Sequence, residues 1–196
     1  GFYSSINADS EGEEGKFYVW TKTEIESIVG RQAADLFIPY YQITDSGNWE
    51  QGKNVLFRKM SNEELAKEKG ISTEECSRLL NEAEAKLLEA RNEREWPSLD
   101  DKILVSWNAL MMQGYIDAHY ALSDPAYLEA ALTNARFIER NFIRDNGQLW
   151  RSFSQGKAGI DAFLDDYAFL ARSFISLYEA TYDILWLDKA RLLAEY

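Results

Sequence analysis

The chain has 196 residues, 46% hydrophobic and 28% charged, which is enough for a buried core and excludes a disordered chain. Its net charge of −12 argues against nucleic acid and anionic membranes, since both require clustered Lys and Arg. No apolar run approaches a membrane span, and the lone Cys76 excludes an internal disulfide or a Cys-built metal site and fits a reducing, cytoplasmic compartment.

The chain opens Gly1-Phe2-Tyr3 without a Met and stops at Tyr196 inside a helical pattern, so it reads as a piece of a larger protein. Residues 4 to 15 form an acidic, Gly-bearing loop. Asn7, Asp9, Glu11 and Gly12 match the first half of a calcium loop, but Tyr18 stands where the bidentate Glu belongs, and a solvated loop fits better. Gly15-Lys16 resembles the end of a phosphate-binding loop; Phe17 replaces the required Ser or Thr, and that reading fails. Nothing calls for a cofactor.

Phe17 to Trp20 is aromatic and β-branched and predicts a strand. Thr21 with Glu24 is a capping box for a short helix ending near Gly30, and a second helix is expected over Ala33 to Ile38. Tyr40 to Thr44 predicts a strand, and Gly47-Asn48 a turn before Asn54 to Arg58. Ser61 with Glu64 and Ser72 with Glu75 cap two more helices, the second with the stripe Cys76, Leu79, Leu80, Ala83, Leu87, Leu88. A well-patterned helix is expected from Pro97 to Leu122. Asp124 with Pro125 starts the next, to about Phe142. Asp145-Asn146-Gly147 is a turn, Gln148 to Ser154 a strand or half a hairpin, and Asp161 and Asp183 start the last two helices. Two regions are expected: short mixed α/β segments over 1–60 and helical hairpins over 61–196.

Asn108 laid on Tyr167 gives an ungapped internal alignment 59 residues apart. Ala109 meets Ala168, Ile116 meets Ile175, Asp124 meets Asp183, and Tyr127 meets Trp186. Two helical hairpins repeat, and such units need stacked neighbours to finish their core. Hairpins of this size suit a closed ring of helix pairs whose inner helices line a funnel.

Several stretches together resemble the spermatogenesis-associated, thioredoxin-domain-containing family. They are Gly1-Phe-Tyr-Ser-Ser5, Gly15-Lys-Phe-Tyr-Val-Trp-Thr21, Gly52-Lys-Asn-Val-Leu56, Pro97-Ser-Leu-Asp-Asp-Lys-Ile-Leu104 with Ser106-Trp-Asn108, and Leu164-Asp-Asp-Tyr-Ala168. The resemblance implies an upstream thioredoxin domain as partner and a mainly α fold, part of an (α/α)6 toroid related to glycosidases and acylglucosamine epimerases. It implies no settled activity.

A carbohydrate-like ligand is the expectation such a toroid raises, and glycosidases need two carboxylates flanking the sugar. Projected at about 100° per residue, the helix from Pro97 places Leu104, Trp107, Met111 and Tyr115 on an apolar stripe and Ser106 on the wet face. Asn108 falls inside the stripe, with Asp101 and His119 at its edge. Asp165 projects to solvent and Asp166 to the buried edge, equivalent in the repeat to Trp107. Asp101 and Asp166 are therefore the candidate catalytic pair, and Trp107, Asn108 and Tyr167 the candidate ligand-binding residues. With His119 the only His, an epimerase mechanism with paired imidazoles is excluded in this chain, and a redox role fails because Cys76 has no companion. The alternative is a non-catalytic helical scaffold for a thioredoxin domain.

Overall fold

Thr21, Ser61 and Ser72 start helices where their capping signals place them. In the computed structural model, which describes Gly1–Tyr196, these residues accept the backbone N–H of Glu24, Glu64 and Glu75. The helices are α1 (Lys22–Val29), α2 (Arg31–Tyr40), α3 (Asn62–Lys69) and α4 (Thr73–Asn92). Together they form one compact unit, Asn7–Ser98, whose core includes Ile25, Phe37, Leu65, Cys76, Leu80 and Leu87. Because α3 and α4 pack on α1 and α2, the break in the chain follows Ser98, where the sequence suggested residue 60.

Two expected strands of this unit do not form. Phe17–Trp20 is a turn, and only Trp20 pairs, through one antiparallel bridge with Asn54. The cause is Arg94. Its Nη1 donates to the carbonyls of Lys16, Phe17 and Val19 at 3.2, 3.0 and 2.9 Å, and its guanidinium lies 3.7 Å from the centre of the Trp20 ring. Carbonyls that converge on one cation cannot alternate along a strand. Tyr40–Thr44 instead ends α2, where the Ile43 N–H returns to the Ile38 carbonyl and the Asn54 carboxamide takes both backbone groups of Thr44. The Gly47 turn requires glycine, since its φ is +73° and a Cβ there would lie 2.2 Å from the Lys53 carbonyl oxygen. Within the acidic loop, β2 (Asp9–Ser10) and β3 (Glu13–Glu14) form a minimal hairpin.

The second compact unit joins Gly1–Ile6 to Leu99–Tyr196. Here β1 (Ser5–Ile6) pairs antiparallel with β4 (Leu99–Asp100), and β5 (Ile103–Leu104), β6 (Trp150–Ser154) and β7 (Lys157–Asp161) make an antiparallel sheet in the order β5-β6-β7. The helix expected from Pro97 therefore begins only at Val105, because Leu99–Asp100 and Ile103–Leu104 give their backbone to strand partners. For the same reason the helix expected from Asp161 begins at Leu164.

The hairpins α5 (Val105–Leu122) with α6 (Pro125–Phe142) and α7 (Leu164–Thr181) with α8 (Ile184–Glu195) carry the repeat. Their skeletons agree residue for residue. Ser123 and Tyr182 are left-handed C-caps with φ of 54° and 55°, their N–H groups bonded to His119 and Tyr178 carbonyls. Asp124 and Asp183 then cap α6 and α8 by accepting from Ala126 and Leu185. Ile116, Met112, Ile138, Phe174, Leu177 and Trp186 fill the core between them. The fold is mainly α, built of repeated helical hairpins with short strands.

Arg94→Met orphans three carbonyls and should cost about 3 kcal/mol in urea unfolding, because hydrogen bonds to a charged donor are strong. Arg94→Lys should recover only part of that loss, since an ammonium lacks the planar stack on Trp20.

Candidate functional site

Asp166 sits in the first turn of α7, where carboxylates complement the unpaired amides and dipole of a helix N-terminus. Its Oδ2 accepts from the Phe163 N–H at 2.9 Å and from Arg151 Nη1 at 2.8 Å, and the residue is fully buried at 0% exposure. Arg151 comes from β6 and lies over the Phe163 ring. Oδ1 of Asp166 is buried and has no hydrogen-bond partner. Asp165 also lies toward Arg151, at 3.9 Å, and stays half exposed, as its projection required.

Asp101 lies in the tight connection between β4 and β5 and not on a helix, so the helical projection that aligned it with Asn108 does not apply. It is partly exposed and accepts a 2.8 Å hydrogen bond from Ser154 Oγ. Ser154 and Arg151 are three residues apart on β6, so strand alternation turns them to opposite faces. The two candidate carboxylates are therefore held from opposite faces of one strand, and these contacts do not bring them together across a common cleft.

Asn108 is 1% exposed and works as a clasp. Its Oδ1 accepts from the Phe2 N–H at 2.7 Å, and its Nδ2 donates to the Phe2 and Leu104 carbonyls at 3.0 and 2.9 Å. Its own backbone carbonyl accepts from Asn134 Nδ2 of α6 at 2.9 Å. Three of the four hydrogen bonds this carboxamide can make go to backbone, and its burial commits it to that role. Tyr167 has a matching role in the second hairpin. Its hydroxyl accepts from the Leu149 N–H at 2.8 Å, its ring stacks on Tyr196, and it lines an apolar cleft of about 390 Å³ between α7 and α8.

Trp107 is 54% exposed, in line with exposed Leu110 and Met111, whereas the expected wet-face residue Ser106 is buried. The projected stripe is thus split: Trp107 and Met111 face outward, while Asn108 is buried and Tyr115 packs against the core. α5 is apolar nearly all round, so periodicity alone cannot orient it. Its inward face is set by the Phe2 strap on Asn108 and by the Ser173 hydroxyl of α7, which donates to the Ala109 carbonyl at 2.8 Å. His119 approaches the Asp124 carbonyl at 3.0 Å and serves the turn between α5 and α6. Arg151, Ser154 and Asn134 are the contacts that residue-by-residue reading missed. No group of three or more His, Cys, Asp or Glu side chains is placed to hold a metal ion.

The chain is similar along its whole length to spermatogenesis-associated protein 20. Identity to the Homo sapiens protein is 33% over 100% of this chain, which spans 29% of that protein. An uncharacterised Caenorhabditis elegans protein is 35% identical over 97% of the chain, which spans 30% of it. No protein-family model matches. Among solved structures, a family GH76 α-mannanase of Bacteroides thetaiotaomicron is similar at 14% identity and a TM-score of 0.46, over 89% of this chain and 57% of that one.

Asp166→Asn keeps the cap but leaves Arg151 facing a neutral group, and should destabilise the chain by about 3 kcal/mol in denaturant unfolding. Asn108→Ala should cost about 2 kcal/mol and expose the Phe2 amide to rapid hydrogen exchange, because the strap loses both of its bonds to α5.

Proposed function

We propose that this chain is a non-catalytic helical module of a longer protein resembling spermatogenesis-associated protein 20, contributing hairpins to an (α/α)6 toroid that partners a thioredoxin domain. The observation that carries this reading is the burial of Asp166. Its carboxylate is engaged by Arg151 and by the Phe163 amide, and Asp101 alone does not make the acid pair that glycoside hydrolysis requires. Three of the five candidate residues, Asn108, Asp166 and Tyr167, hold backbone in place, which is a scaffold's work.

A second reading, binding of a carbohydrate-like ligand without turnover, is favoured by Trp107. Its half-exposed indole beside Leu110 and Met111 is an apolar platform of the kind on which sugar rings stack, with a partly exposed carboxylate, Asp101, available elsewhere in the same unit. Both readings deny chemistry to Asp101 and Asp166.

The test is a panel of nitrophenyl glycosides and free hexoses offered to the full-length protein, with turnover and saturation-transfer NMR as readouts. No turnover is expected, and any sugar signal should fall at least fivefold in Trp107→Ala. Turnover by the wild type that vanishes in a stably folded Asp166→Asn variant would restore the catalytic pair.

A further inference from the structure

An open cleft of about 790 Å³ lies between the last turns of α6 and the start of α8, within the range of small-molecule sites. Its rim is unusual for a chain of net charge −12, because Arg136, Arg140, Arg144 and Lys189 all border it. Arg136 and Arg140 stand four residues apart on α6; Arg136 has Glu129 at 3.9 Å, which leaves Arg140 as the uncompensated cation of the pair. The acids of the rim are mostly engaged. Glu139 pairs with Lys189 at 2.9 Å, and Asp183 caps α8, so Asp145 is the remaining carboxylate.

The unmatched polar groups of this cleft are donors. Trp186 is 2% exposed and its Nε1 has no acceptor. Arg144 donates to Gln148 and pairs with Asp161, yet its Nε is buried without a partner. Arg140 is exposed and in no ion pair. These two nitrogens are sealed from solvent, so the charge that can reach a ligand in the cleft is that of exposed Arg140 and of the partly exposed Arg144 guanidinium. The rest of the lining is apolar, from Leu132, Ile143 and Leu192.

We propose that this cleft binds a small anion, a phosphate or carboxylate attached to an apolar or ring-shaped body, with Arg140 and Arg144 on the charge and Trp186 beneath the body. The site lies between α6 and α8, on residues separate from Asp101, Trp107 and Asp166, and does not depend on what those residues do.

Calorimetric titration of the full chain with phenyl phosphate, phenol and inorganic phosphate tests it. Phenyl phosphate should bind at least tenfold more tightly than either fragment and weaken as salt is raised. Arg140→Gln, at an exposed position free of ion pairs, should lose about tenfold of that affinity, the worth of one charge-assisted contact. Asp145→Asn should tighten binding by removing the competing carboxylate. Phenyl phosphate binding no more tightly than phenol, or equally to Arg140→Gln and wild type, would overturn the proposal.

Discussion

The ion pair between Asp166 and Arg151 fixes how the second hairpin enters the fold. Arg151 belongs to the β6–β7 ribbon and Asp166 to the first turn of α7, so one contact joins the connecting segment to the helix that follows it. A carboxylate at this point also answers the open amide of Phe163 and the positive end of the helix. Burying a charge without such partners costs several kcal/mol, so burial is tolerated only because Arg151 and Phe163 meet it. A residue held in this way orders backbone.

The same logic recurs at the equivalent points of the repeat. Asn108 on α5 and Tyr167 on α7 occupy matching positions, and each binds the backbone of an extended segment, Phe2 in one case and Leu149 in the other. The caps at Ser123 and Tyr182 and at Asp124 and Asp183 match as well. What differs is the residue just before. Trp107 faces outward, while Asp166 is drawn in by Arg151. The repeat thus keeps skeleton and clasps while letting one position change from surface aromatic to buried acid.

Helix starts were legible because caps are local: Thr21, Ser61, Ser72, Asp124 and Asp183 each act within three residues of themselves. The hairpin repeat was legible because its apolar spacing survives substitution. The turn at Phe17–Trp20 was not, because it depends on Arg94, more than seventy residues away. Nor was the start of α5, since Leu99–Leu104 is extended only through pairing with Ser5–Ile6 and β6. For the candidate site, the burial of Asp166 could be read from its projection, but its partner Arg151 could not. The outward turn of Trp107 escaped because a helix apolar on every side offers periodicity nothing to orient.

A double-mutant cycle on Arg151 and Asp166 measures most directly whether the carboxylate is a structural clasp. Unfolding free energies of wild type, Arg151→Met, Asp166→Asn and the double variant give the coupling between the two side chains. The account predicts a coupling of about 2 kcal/mol or more, with the double variant more stable than the sum of the single losses implies. A coupling near zero, with Asp166→Asn as stable as wild type, would contradict it and return Asp166 to the pool of residues free for chemistry.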